Sequence, residues 1–232
     1  MSSARETVLD NAAWHSLTST HTALAIGGPL ARRFPHDVAP FAATGGEPGG
    51  FAALAGLVGA RESVAWCAKT RVPAIAGLRA ALFGRVRQMV YRGRPPVPDS
   101  EDIVELAASD VAEMKALADL TKPGPFEART IALGRYCGIR RAGQLVAMAG
   151  ERLRPPGFSE ISAVCTHPDH RGVGYARRLV EVLQAMILDR GETPFLHVLE
   201  DNGAAERLYR DMGYETRDMI DLIILERPGD DG

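Results

Sequence analysis

The amino-acid sequence predicts an α/β (α+β) protein: a mixed, mostly antiparallel sheet with flanking helices, preceded by a smaller α/β half. The chain has 232 residues, of which 46% are hydrophobic and 24% charged, the balance of a folded globular protein. Helix-like and strand-like segments alternate after residue 110 in an order that a mixed sheet with helices on its faces explains. A proline-rich segment near residue 95 separates this region from the half before it.

The composition excludes several classes of protein. A net charge of −2 and an isoelectric point of 6.3 give no sign of binding to nucleic acid or to an anionic membrane. The longest apolar region, residues 38–60, is interrupted by prolines, glycines and a glutamate, so it cannot span a bilayer. The first residues contain no apolar signal segment, and Cys67, Cys137 and Cys165 form no C-x-x-C pair. We therefore expect a cytoplasmic protein with no disulfide and no metal site.

The amino-terminal half has short predicted elements and no chemical motif. Residues 8–34 predict a helix followed by a short strand. A helix at 51–58 and strands at 63–68 and 86–91 follow. The prolines after residue 94 mark a linker, so we place the domain boundary there, with one domain at 1–95 and the other at 96–232. The first domain is compatible with a degenerate copy of the second.

The carboxy-terminal half has stronger patterns. Apolar residues at helical spacing predict a helix that begins after Asp110, and the sequence Arg141-Ala-Gly-Gln144 predicts the turn of a hairpin. Gly213 ends the last predicted helix. The predicted strands are 136–140, 145–152, 160–166, 195–199, 214–216 and 220–225, and the predicted later helices are 177–190 and 202–212.

The two halves differ in charge. Residues 1–98 carry 11 Lys+Arg and 5 Asp+Glu, a net of +6, whereas residues 99–232 carry 16 and 24, a net of −8. Opposite signs favour packing of the halves on each other, within one chain or across a homodimer, although compositional drift explains the difference equally well.

The segment Arg171-Gly-Val-Gly-Tyr-Ala176 is the most informative part of the chain. It follows a predicted strand and begins a predicted helix, so several backbone N–H groups and the positive end of the helix dipole point toward one place. Gly172 and Gly174 leave room for a ligand to approach the backbone. This pattern indicates a phosphate or pyrophosphate site. It lacks the Lys-Ser/Thr of a Walker loop and the third glycine of a dinucleotide-binding fold.

Two motifs together resemble the GNAT acyltransferase superfamily. Arg171, Gly174 and Ala176 match its R/Q-x-x-G-x-G/A motif. The segment 202–214, with Asn202, Ala205, Leu208, Tyr209, Gly213 and Tyr214, matches its N-x-x-A-x-x-L-Y-x-x-x-G-F/Y signature. The resemblance covers about residues 100–232, and from Leu120 onward it is closest to the subgroup of the glycine N-acyltransferases.

The resemblance implies acetyl-CoA as co-substrate and no metal. It assigns the pyrophosphate to the backbone amides of Arg171, Gly172, Val173, Gly174, Tyr175 and Ala176. It assigns the pantetheine arm to backbone groups of Val164, Cys165 and Thr166, with an amide near Cys165 polarising the thioester. Asn202 and Ala205 would contact the pantetheine or pyrophosphate region.

Three residues are candidates for proton transfer. The resemblance gives Tyr209 the role of general acid, and a phenol with a pKa of about 10 can protonate a departing thiolate. The alternative is that Tyr209 is a core residue with no catalytic role. Glu160, which begins a strand, and His197 are candidates for the general base, with Glu160 preferred. For Cys165 a nucleophilic role beside His167 is the less favoured alternative to a buried structural thiol.

The resemblance predicts an acetyl-CoA-dependent N-acetyltransferase that acetylates a primary amine of a small molecule or amino acid by direct attack in a ternary complex. Acetylation of a protein or peptide and a catalytically inactive CoA-binding sensor are the alternatives. The first helix, the loop at 121–126 and the amino-terminal half would determine acceptor choice.

Overall fold

The computed structural model describes residues 4–229, which form a large sheet, a small sheet and five α-helices. The small sheet has the order β1-β2-β3, and the large sheet has the order β4-β11-β5-β10-β9-β8-β7-β6. The strands are β1 (Ile26–Gly27), β2 (Ala31–Arg33), β3 (Ala42–Thr44), β4 (Ser63–Cys67), β5 (Arg79–Tyr91), β6 (Ile103–Leu106), β7 (Tyr136–Arg141), β8 (Gln144–Glu151), β9 (Phe158–Thr166), β10 (Thr193–Leu199) and β11 (Tyr214–Glu226). The helices are α1 (Ala12–Leu17), α2 (Gly50–Leu57), α3 (Val111–Thr121), α4 (Tyr175–Asp189) and α5 (Gly203–Asp211).

The predicted fold class is confirmed. In the large sheet of the described residues, β9 and β10 are parallel neighbours and every other neighbouring pair is antiparallel. The predicted hairpin turn joins β7 and β8, and its two central residues, Ala142 and Gly143, have φ of 49° and 84°. Positive φ at both positions matches the right-handed twist of a hairpin.

Helices pack on both faces of the large sheet. On one face α4 buries Leu179, Leu183 and Ile187 completely, in a core that α5 shares. On the other face α3 packs against β8 and β9, and the amino-terminal segments bury Leu9, Phe34 and other side chains against the remaining strands. No helix among residues 4–229 is long and apolar enough to cross a membrane.

Two strands of the large sheet differ from their predicted bounds by more than two residues. The predicted strands 214–216 and 220–225 are one strand, β11, because a bulge between Thr216 and Asp218 carries the chain past the polar residues without breaking its pairing with β5. The strand predicted at 86–91 begins at Arg79. Its first residues are exposed, and their sequence does not alternate between apolar and polar side chains as that of a half-buried strand does.

Strands from both sides of residue 95 belong to the same sheet. β5 lies between β10 and β11 and pairs antiparallel with both, while β4 forms the edge beyond β11. The amino-terminal half is a smaller α/β unit, as predicted, with a three-stranded sheet of its own, but its two longest strands complete the sheet of the other half. The boundary at residue 95 stays a prediction about independent folding.

The parallel strands β9 and β10 separate partway along their length. Their residues pair only over Phe158–Glu160 and Thr193–Phe195. Beyond Glu160, the edge of β9 that faces β10 has no partner strand among the described residues. On its other edge, β9 has an irregular register with β8, and Ala163 has a φ of 52°. This opening in the sheet positions the candidate site.

Candidate functional site

A cavity of about 690 Å³ lies where β9 ends, between the start of α4 and the start of α5. Residues from three separated parts of the sequence line it. The predicted residues among them are Val164, Cys165, Thr166, Arg171, Gly172, Gly174, Tyr175, Ala176, Asn202, Ala205 and Tyr209. Val173, which we also predicted, does not line the cavity and is 60% exposed.

The loop before α4 has the geometry of an anion site. Gly172 and Gly174 have φ of 82° and 84°, which glycine adopts without strain. A Cβ at either position would meet no heavy atom within 4 Å, so a ligand can approach the backbone there. Because α4 begins at Tyr175, its first N–H groups have no partner within the helix and add the positive end of its dipole.

Arginine side chains hold this loop in place. The Nε of Arg171 donates a hydrogen bond of 3.3 Å to the carbonyl oxygen of Thr166, which ties the loop to the end of β9. Arg141 lies over the ring of Tyr175 and donates a bond of 2.8 Å to its hydroxyl. Arg141 and Arg178 both pair with Asp102, and their hydrogen bonds lower the pKa of this carboxyl to about 2.

The open edge of β9 is available to a ligand. The backbone of Val164, Cys165 and Thr166 follows the irregular residue Ala163, and β10 has already separated at this level. Unpaired strand edges bind extended ligands through their N–H and C=O groups. Ala163 was not predictable from the sequence, because a positive φ at an alanine has no sequence signature.

Asn202 has a structural role in addition to its place in the cavity. It is the N-cap of α5, and its Oδ1 accepts a hydrogen bond of 3.1 Å from the amide of Ala205. The two predicted residues therefore belong to one turn, which orients the start of α5 toward the cavity.

Tyr209 lines the cavity from α5. The residue is 8% exposed, and its ring packs edge-on against Tyr214 at 5.8 Å. Burial raises the pKa of its hydroxyl to about 12, so Tyr209 is a protonated phenol at neutral pH.

The thiol of Cys165 is buried. Cys165 is 7% exposed, and burial raises its pKa to about 11, which leaves little thiolate at neutral pH. His167 bonds locally through its Nδ1, which accepts from the amide of Asp169 at 3.3 Å. These features favour the structural alternative for this cysteine.

The two predicted base candidates lie outside the cavity lining. Glu160 is fully buried and contacts His197 and Arg152 with the carboxylate. Burial alone would raise the pKa of Glu160, but the charge of Arg152 and the hydrogen bonds from Arg152 and His197 outweigh it and lower the pKa to about 2. Both candidates point toward the face that the amino-terminal segments cover, whereas Tyr209 belongs to the core on the opposite face.

The cavity also includes residues that the sequence analysis did not assign to it. Thr121, Lys122 and Pro123 extend into it from the end of α3, where Lys122 adopts a left-handed φ of 53°. The loop at 121–126, which we predicted to influence acceptor choice, contacts the cavity. Its influence on acceptor choice stays a prediction. The rest of the additional lining is His170, Arg177, Ala204 and Leu208. Within residues 4–229 no group of three or more His, Cys, Asp or Glu side chains could hold a metal ion.

Comparison with known proteins gives consistent matches. The family described as FR47-like protein matches residues 136–221, which include the whole cavity apart from the end of α3. Among curated proteins, the N-alpha-acetyltransferase RimI of Mycobacterium tuberculosis is 39% identical over 83 residues. That match covers 34% of this chain, and the chain spans about half, 51%, of the relative's length.

Solved structures extend the similarity to the amino-terminal half. A GCN5-related N-acetyltransferase from Kribbella flavida has a TM-score of 0.61 at 21% identity, covers 94% of this chain and is itself covered to 96%, so the fold is shared. A structure from Novosphingobium aromaticivorans, described as belonging to the GNAT family, has a TM-score of 0.88 and 37% identity. The match covers 94% of this chain and 98% of the other. Similarity at this level over nearly the whole length of both chains shows that this protein belongs to the GNAT family.

Proposed function

We propose that the protein is an acetyl-CoA-dependent N-acetyltransferase that acetylates a primary amine. The observation that carries the proposal is the convergence of three features on one cavity: the anion-binding loop before α4, the open edge of β9, and the protonated hydroxyl of Tyr209. Acetyl-CoA requires these three features, because it has a pyrophosphate, an extended pantetheine arm and a thiol leaving group.

Each part of the cavity has a role in this proposal. The amides of the loop at 171–176 hold the pyrophosphate. The backbone of Val164, Cys165 and Thr166 binds the pantetheine arm as an added strand, and an amide near Cys165 stabilises the developing oxyanion. Asn202 and Ala205 contact the arm from the start of α5.

Tyr209 supplies the proton that the leaving group needs. The nitrogen of a neutral amine forms a bond to the thioester carbon, the carbon–sulfur bond breaks, and the electron pair goes to sulfur. Tyr209 donates its proton to that sulfur and recovers one from solvent, while the amine nitrogen releases its proton to solvent water. The raised pKa of Tyr209 keeps it in the protonated form that this step requires. Glu160 and His197 do not line the cavity, so we assign them no proton transfer.

We propose a small molecule or amino acid as the acceptor. The resemblance of residues 120–232 to the glycine N-acyltransferases supports such an acceptor. The match to an N-alpha-acetyltransferase over 83 residues favours the amino terminus of a peptide as the second candidate.

Release of free CoA thiol measures the proposed reaction directly. The full chain would be incubated with acetyl-CoA and, in separate samples, amino acids, polyamines, and peptides with free or blocked amino termini. We expect turnover that depends on a free amine and is strongest with a small acceptor. Turnover with only the free-terminus peptides would transfer the assignment to the second candidate. Binding of acetyl-CoA without turnover across the panel would favour an inactive CoA-binding sensor.

A further inference from the structure

Five buried polar side chains form a row across the large sheet. They come from five neighbouring strands: Arg152 directly after β8, Glu160 in β9, His197 in β10, Gln88 in β5 and Arg217 in β11. Glu160 and Gln88 are fully buried, and the side chains of Arg217 and His197 are only 4% and 6% exposed. A row of this kind inside a protein is stable only if each polar group has a partner.

Each neighbouring pair in the row is within hydrogen-bond distance. Arg152 donates from Nε and Nη2 to the two carboxylate oxygens of Glu160, at 2.9 and 2.5 Å. Glu160 Oε1 lies 2.7 Å from His197 Nδ1. His197 Nε2 lies 3.0 Å from Gln88 Nε2, and Gln88 Oε1 accepts a bond of 2.8 Å from Arg217.

The row fixes the proton positions on His197. The amide nitrogen of Gln88 donates to the carbonyl oxygen of Leu9 at 2.9 Å, and its oxygen accepts from Arg217. The orientation of the amide is therefore set, and its second N–H points at His197 Nε2. That nitrogen must accept, so His197 is neutral and donates from Nδ1 to Glu160. Neither ring nitrogen is left to take a proton from a substrate.

The bond between Glu160 and His197 lies at the base of the opening between β9 and β10. Glu160 pairs with Phe195 in the last backbone pair of the two strands, and His197 is two residues farther along β10. The side chains thus connect the strands at the level where their backbone pairing stops. The amino-terminal half completes the row through Gln88, the carbonyl of Leu9, and Asp10, which accepts from Arg217 at 2.5 Å.

We infer that Glu160 and His197 are positioning residues that fix the separation of β9 and β10, and with it the edge of β9 that binds acetyl-CoA. This inference rests on the proposed function, and it replaces the role of general base that the sequence suggested for the two residues. It also gives the amino-terminal half a role, since that half supplies Gln88, which contacts His197, and the carbonyl of Leu9, which orients Gln88.

Glu151 is a matched control, because it is the other fully buried glutamate of β8 and β9. Its carboxylate accepts from Arg190 at 2.9 Å and from Ser159 at 3.3 Å and lies 3.7 Å from Nε of Arg154, and none of these partners within residues 4–229 belongs to β10. Removal of either carboxylate should lower the melting temperature. Only removal of Glu160 should also change the opening.

The experiment measures the dissociation constant for CoA and the pH profile of kcat/KM on the full chain. We expect Glu160→Ala to weaken CoA binding by about tenfold or more, since a displaced edge of β9 loses at least one backbone hydrogen bond to the pantetheine arm, which corresponds to about that factor. Glu160→Gln keeps an acceptor for His197 and should restore binding to within about threefold of the wild type. Glu151→Ala should bind CoA like the wild type. The acidic limb of the pH profile should persist in Glu160→Gln.

Three outcomes would overturn the inference. In the first, Glu160→Ala and Glu151→Ala have the same CoA affinity. In the second, Glu160→Gln binds CoA normally but loses turnover together with the acidic limb, which would make Glu160 the base. The third needs no variant: nitrogen NMR of the wild-type imidazole would show His197 protonated at Nε2 or at both nitrogens. A wild-type protein that does not bind CoA would instead refute the proposed function.

Discussion

Gly174→Glu tests the acetyl-CoA site most directly. Gly174 has a φ of 84°, and a Cβ there would meet no heavy atom within 4 Å. The substitution therefore causes no clash, and its direct cost is the left-handed backbone conformation, about 1–2 kcal/mol. Its carboxylate would lie beside the amides that are proposed to bind the pyrophosphate, where a second negative charge is unfavourable.

The expected magnitude follows from two estimates. A ligand at 100 times its dissociation constant stabilises the folded state by about 2.7 kcal/mol, which corresponds to roughly 5–10 °C in melting temperature for a chain of this length. Two like charges about 4 Å apart near a protein surface repel by about 4 kcal/mol. That repulsion weakens binding by nearly a thousandfold and reduces the stabilisation at the same ligand concentration to less than about 0.1 kcal/mol.

Thermal unfolding with and without acetyl-CoA measures the effect. Gly143→Glu is the control, because Gly143 also has a φ of 84° and open space around its Cα, but lies in the turn between β7 and β8. Both variants should melt below the wild type without ligand. Acetyl-CoA should raise the melting temperature of the wild type and of Gly143→Glu only. An equal shift in Gly174→Glu would show that the pyrophosphate does not bind at this loop.

Three further predictions concern single residues. Tyr209→Phe should lower kcat by about tenfold or more and leave the acetyl-CoA dissociation constant within about threefold, as single-turnover and binding measurements would show. Because burial raises the pKa of Tyr209 to about 12, the wild-type kcat should not decrease through loss of this proton at any pH up to about 11. Unchanged turnover in the variant would exclude Tyr209 as the general acid. Asn202→Ala should lower the melting temperature by about 2–4 °C through loss of the helix cap. Asn202→Ser should restore the melting temperature but not the affinity for CoA. Recovery of both quantities in Asn202→Ser would show that Asn202 acts only as the cap of α5. The thiol of Cys165, with its pKa raised to about 11, should react with iodoacetamide at pH 8 far more slowly in the folded protein than in denaturant, as mass spectrometry would show; rapid alkylation of the native protein would contradict a buried structural thiol.

The anion loop and the start of α5 were predictable because their signals are local. Gly172 and Gly174 are required by the positive φ of the turn that precedes α4, and Asn202 is required by the cap of α5. Segments of this kind specify their own conformation within a few residues. Their residue types therefore indicate the local structure, and the acetyl-CoA chemistry that they suggest stays a prediction.

The placement of β5 was not predictable by such reasoning. Its residues have ordinary strand propensity, but its position between β10 and β11 depends on pairing with segments more than 100 residues away. The bulge in β11 and the positive φ of Ala163 also depend on strand pairing, and their residues have no distinctive type.

The environment of Glu160 and His197 shows the same limit for a site. As residue types, a glutamate and a histidine at the opening of a sheet are natural candidates for a general base. Their hydrogen bonds to Arg152 and Gln88, which come from other strands, leave neither of them with a free lone pair toward the cavity.

The sequence by itself determined the fold class, the helix and loop that would bind a pyrophosphate, and the tyrosine at the cavity, because short-range backbone requirements and two motifs encode them. Only the tertiary structure decided that the amino-terminal half completes the central sheet and that Glu160 and His197 connect β9 to β10. The physical reason is that ionisation, accessibility and strand order depend on the groups that folding brings together, and those groups lie far apart in the chain.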